Sequence, residues 1–181
     1  MRGWAERLGT LGRVVAFDYP YQRAGRRSPD RPPILIAAHR EALAQARAAH
    51  DGLVFLAGKS MGGRIGCHVA LEEPVDGLIC FGYPLRGTSG AVRDEVLRQL
   101  TTRILFVEGT RDPLCPLELL TAITPHMQTP HTLHVVEDGD HSLLVRKRDL
   151  ARQRKTQAEV DTEILTAVTT FVTAAGRKSR A

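Results

Sequence analysis

The stretch Leu53-Val54-Phe55-Leu56-Ala57-Gly58-Lys59-Ser60-Met61-Gly62-Gly63-Arg64 decides the fold. Its first five residues form the apolar run that a buried strand requires. From Met61 the chain takes helical spacing as far as Leu71, ahead of Pro74. Between them, Gly58-Lys59-Ser60-Met61-Gly62 fits G-x-S-x-G. The pattern is common by chance but informative at a strand-to-helix junction, where a tight turn lifts the serine hydroxyl above the sheet. Glycine is expected at 58 and 62 because a Cβ at either would meet the neighbouring strand or helix. The Met61 backbone N–H is expected to point at a substrate oxyanion. The alternative is a glycine-rich helix start that only caps or binds an anion.

Four further apolar runs flank this one: Arg13–Asp18, Leu78–Gly82, Ile104–Gly109 and Leu133–Asp138. None alternates polar and apolar, so each reads as a strand covered on both faces, and such sheets are usually parallel. Helical segments are expected at Trp4–Leu11, Ile34–His50, Asp94–Leu100, Pro116–Ile123 and Thr156–Ala175. Alternating strand and helix predicts an α/β fold, three layers deep, with a mostly parallel sheet. No internal repeat or long linker divides the chain, so residues 1–176 read as one domain and 177–181 as a frayed basic tail.

A serine hydroxyl needs a base. At strand-turn-helix sites the chain order is serine, acid, histidine. Asp112 follows the run Ile104–Gly109, and His141 follows the last run, so both belong to loops at strand carboxyl ends. In this scheme His141 takes the Ser60 proton and Asp112 orients the imidazole. Asp138 and Asp140 are the competing carboxylates, and Asp112 also suits a plain Asp-Pro turn. His39, His50 and His68 lie on expected helices and His134 within a strand. Lys59, Tyr19 and Tyr83 are candidate pocket residues. Cys67 and Cys80 read as core, and Cys115 as a bystander thiol.

These motifs, Gly58–Arg64, Gly109-Thr110-Arg111-Asp112-Pro113 and Gly139-Asp140-His141-Ser142, resemble the small α/β hydrolases of the KANL/Tex type, relatives of dienelactone hydrolase. Phe17–Tyr21 and Phe81–Leu85 fit the same family's strand ends. The resemblance runs from about Gly3 to Ala174 and implies serine hydrolase chemistry on an ester, thioester or similar acyl group, with no metal or organic cofactor. It also implies an earlier strand ending in a His-Gly-x-Gly loop that supplies a second oxyanion donor. No such loop precedes Trp4 here. The N-terminal strands of the fold are therefore expected to be lacking, and sequence upstream is expected to encode them. Either Val14–Phe17 pairs directly with Val54–Leu56, or a strand-wide gap remains, and unpaired backbone in a core argues against the gap. Loss of that donor makes a non-catalytic interaction module with an impaired oxyanion hole the competing reading.

Composition narrows the classes further. The 181 residues are 43% hydrophobic and 25% charged, with a net charge of +5, which excludes fibrous, disordered and disulfide-scaffold chains. Three cysteines without a CxxC fit a reduced, cytoplasmic protein. No run is long and apolar enough for a membrane span, and no signal peptide is readable. Basic clusters at Arg23, Arg26 and Arg27 and from Arg146 to Lys155 lack interleaved aromatics, so nucleic-acid binding is not expected. Basic stems covering apolar surface fit better. A small-molecule acyl substrate is the expected partner. An exposed strand edge is compatible with an oligomer, but the sequence carries nothing that supports one.

Overall fold

Two strands run entirely through apolar surroundings. β2 (Gly77–Phe81) and β3 (Ile104–Gly109) are buried at every position, and they pair in parallel as the central strands of the sheet. The structure, a computed structural model, describes residues 2–87 and 90–178. β1 (Phe55–Lys59) lies outside β2 and β4 (His131–Val136) outside β3, giving the all-parallel order β1-β2-β3-β4. On one face pack α3 (Pro32–Ala48), α4 (Met61–Ala70), α5 (Glu95–Gln99) and α6 (Leu117–Ile123), around Leu78, Ile104 and Phe106. On the other lie α1 (Arg2–Leu8) and α8 (Gln157–Lys178), whose Val160, Ile164, Val168 and Phe171 close over Ile79, Leu105 and Val107. The three layers follow, and each wholly buried Leu, Ile or Phe stabilises them by about 1.5–3 kcal/mol. α8 starts at a reciprocal cap: the Glu159 carboxylate accepts the Thr156 N–H at 2.7 Å and the Thr156 hydroxyl accepts the Glu159 N–H at 3.2 Å.

Several expectations need correction. Arg13–Asp18 is not a strand. Its residues belong to no regular element and pair with no described strand, because a cavity of about 800 Å³ separates Val14–Asp18 from β1. The sheet has the gap, not the direct pairing. Val14 and Val15 are 40% and 42% exposed and Ala57 of β1 is exposed, so water reaches both edges and neither row of backbone groups is orphaned in a dry core. β4 is covered on one side only: Leu133 and Val135 are exposed, as an edge strand allows. The basic run after His141 holds a helix absent from the sequence reading, α7 (Lys147–Gln153). Its Arg152 pairs with Asp138, and the following Lys155 pairs with Glu163. α8 continues through Lys178, so helix replaces the first residues of the expected tail, and 179–181 lie outside the described residues. Among the described residues no helix is long and apolar enough to cross a membrane.

The short α2 (Pro20–Arg23) and α3 enclose a separate small core of Tyr19, Leu35 and Ile65. His39 of α3 is buried beside it, its Nδ1 3.3 Å from the Tyr19 hydroxyl. Burial holds the imidazole neutral and pushes its pKa from 6.5 down to about 4. The unfolded chain therefore binds more protons between those values. Stability is expected to fall as pH drops from about 6.5 to about 4, by up to roughly 3 kcal/mol from this group. Urea unfolding at pH 7 and pH 4.5 checks this: His39→Gln should lose less stability than the parent between the two.

Candidate active site

The site is assembled where β1, β3 and β4 end. β1 runs into α4 through Ser60, whose φ of 51° and ψ of −121° are rare for a residue with a side chain. Such a conformation costs about 1–3 kcal/mol and persists only where the surroundings impose it. They do so here. The Ser60 N–H donates to the Phe81 carbonyl at 2.9 Å, and the helix start lies against the strand end. A Cβ on Gly58 would sit 2.4 Å from the Gly62 carbonyl carbon and the Gly63 nitrogen. At Gly62 the expectation fails, because a Cβ there would meet nothing within 4 Å. The second indispensable glycine is Gly63, where a Cβ would lie 2.9 Å from the Gly58 oxygen and 3.1 Å from the Cys80 sulfur. The doubled glycine after Met61 was the available signal for it.

The loops after β3 and β4 are stitched together. Asp138 donates its N–H to the Thr110 hydroxyl at 2.8 Å, and the Arg111 N–H donates to the Gly139 carbonyl at 2.9 Å. Gly139 and Val145 bridge to close the second loop, and inside it the Asp140 carboxylate accepts the N–H groups of Ser142 and Leu144. Asp140 is thereby committed to its own turn, and Asp138 to Arg152 and Gln153. His141 projects from this loop. Its Nε2 is 2.9 Å from the Ser60 hydroxyl and its Nδ1 is 2.7 Å from Asp112 Oδ2. The other Asp112 oxygen accepts the Leu114 N–H at 2.8 Å, and the carboxylate is buried. Ser60, His141 and Asp112 thus form one hydrogen-bonded line.

Met61 opens α4, so its N–H has no intrahelical acceptor. Met61, Lys59 and Tyr19 all line the 800 Å³ cavity, which begins at Ser60. Lys59 also donates to the Ser142 hydroxyl at 2.7 Å, across the loop that carries His141. Tyr83 is not a pocket residue. It is wholly buried, packs edge-on against Phe106, and its hydroxyl donates to the Arg93 carbonyl at 3.4 Å. It is not among the residues that line the cavity. Cys67, Cys80 and Cys115 are buried free thiols.

A model of the alpha/beta hydrolase domain matches residues 1–172. The chain belongs to the alpha/beta hydrolase domain family. Solved structures with this fold include an alpha-beta serine hydrolase homologue from Coxiella burnetii, at 20% identity and a TM-score of 0.61 over 78% of this chain and 67% of that one. The RedJ thioesterase of Streptomyces coelicolor is similar at 20% identity and TM-score 0.63, over 94% of this chain and 80% of that one. A protein of unknown function from Agrobacterium tumefaciens superposes at TM-score 0.64 with 14% identity, over 94% and 74% of the two chains. This alpha/beta hydrolase domain therefore spans two thirds to four fifths of those chains.

Within the domain the two glycines after Met61 should respond differently. Gly63→Ala is expected to cost about 1–3 kcal/mol through the close approach to Gly58 and Cys80. Gly62→Ala is expected to be neutral or to stabilise by up to about 1 kcal/mol, since alanine favours helix and the position is open. Denaturant midpoints of the two variants check the contrast.

Proposed function

We propose that the chain is a serine hydrolase acting on an ester, thioester or similar acyl substrate. The observation that carries this reading is the line Ser60–His141–Asp112, with contacts of 2.9 and 2.7 Å, ending on a serine held at positive φ. His141 Nε2 takes the Ser60 proton as the hydroxyl oxygen attacks the acyl carbon. Asp112, bonded at Nδ1, holds the ring in the tautomer that leaves Nε2 free to accept, and stabilises the imidazolium that forms. The proton then passes from Nε2 to the leaving oxygen or sulfur, and water deacylates Ser60 by the same route. The Met61 N–H supplies one donor to the oxyanion, and the free start of α4 adds its partial positive charge there. The apolar side chains around the cavity, among them Leu8, Leu11, Val15 and Phe17, suit the acyl portion better than a charged one. The family match and the likeness to a serine hydrolase homologue and a thioesterase support the same class of reaction.

A fluorophosphonate probe tests the reading. Stoichiometric labelling is expected, and Ser60→Ala should abolish it. On an activated ester such as p-nitrophenyl butyrate, Asp112→Asn is expected to lower kcat by about 10³–10⁴-fold with the fold intact. A folded protein that neither labels nor turns over would instead be the non-catalytic module.

A further inference from the structure

Glu108 lies on β3 immediately before Gly109, and its carboxyl is wholly enclosed on the face that also holds Ile104 and Phe106. A carboxyl is almost never fully buried without a charged partner. Among the described residues, none of the groups acting on it is a cation. They are Tyr83 and Cys80 from β2 and the segment after it, and Asp112 and Cys115 from the loop after β3. One oxygen, Oε1, accepts the Tyr83 N–H at 2.7 Å, and the Cys115 thiol lies beside the carboxyl; among the described residues Oε2 has no nitrogen or oxygen partner.

The Tyr83 bond falls where β2 leaves the sheet. The Gly82 N–H donates to the Val107 carbonyl at 2.9 Å, as a ladder rung would. The next rung goes to a side chain, so the backbone turns at Gly82, with φ at 63°. His141 rests on that turn. A Cβ on Gly82 would lie 2.7 Å from the His141 carbonyl oxygen and 3.2 Å from Nδ1. Gly82 is thus the floor under the imidazole, and Glu108 holds the floor from inside the core.

We propose that Glu108 is a positioning residue for His141: its carboxyl anchors the Tyr83 N–H, and with it the Gly82 turn that sets the imidazole between Asp112 and Ser60. Burial drives this carboxyl well above the usual carboxylate range, and the neighbouring Asp112 carboxylate pushes the same way. The Tyr83 N–H and the Cys115 thiol oppose them.

The inference rests on the serine hydrolase reading, and the experiment separates the two. kcat, KM and the pH–rate profile on p-nitrophenyl butyrate are measured for the parent, Glu108→Gln, Glu108→Asp and Glu108→Leu, with near-ultraviolet circular dichroism reporting the fold. Glutamine keeps the acceptor and carries no charge, so it is expected to stay within about threefold of the parent in kcat with the acid limb unmoved. Leucine removes the acceptor and is expected to lower kcat by about ten- to a hundredfold at nearly unchanged KM, the scale of a small misplacement of a reacting group. Aspartate keeps the acid but withdraws the oxygen, and should lie between the two. If leucine prevents folding, the contrast of aspartate with glutamine decides. The inference fails if the folded leucine or aspartate variant matches glutamine, or if glutamine moves the acid limb, which would mean that Glu108 carried a charge. A folded parent without turnover overturns the hydrolase reading, and this inference with it.

Discussion

Everything at the carboxyl end of the sheet depends on the close approach of β1's end to the first turn of α4. Without side chains at Gly58 and Gly63 the helix start sits against the strand end, and Ser60 between them is left no relaxed conformation. The strain is local, of the order of 1–3 kcal/mol, and is offset by the buried contacts of Ile65, Cys67 and Val69 on α4. The same packing leaves the hydroxyl outside the core and the free N–H groups of the helix beside it.

The other two members of the site reach Ser60 through a different constraint. The loops after β3 and β4 hold each other by main-chain bonds, and Asp140 and Thr110 complete the stitching. Asp112 and His141 are therefore held in fixed relation to each other. The turn after β2 lies beneath that pair, so the carboxyl ends of β2, β3 and β4 all determine where the imidazole stands relative to β1.

Much of this was legible in the chain itself. Apolar runs without alternation marked β2 and β3 because both faces of those strands are covered. G-x-S-x-G at a strand-to-helix junction located Ser60, and the loops at strand carboxyl ends pointed to Asp112 and His141; Asp138 and Asp140 stayed in competition until their own hydrogen-bond partners were known. Other features were not legible. Val14–Phe17 carries the composition of a strand, but a strand needs a partner at hydrogen-bonding distance, and composition does not report what lies beside it. Tyr83 resembled a pocket residue because a tyrosine at a strand end serves either environment until its hydroxyl finds an acceptor.

The sequence by itself determined the four strands of the sheet, most of the helices between them, the serine turn, and the loops that carry Asp112 and His141, because these rest on local chemistry: apolar runs, glycines and chain order. Only the tertiary structure decided that Gly63 rather than Gly62 must lack a side chain, that a cavity separates residues 14–18 from β1, and that Glu108 reaches across to hold the turn under His141. Each of those depends on distances between segments far apart in the chain, and no local pattern encodes them.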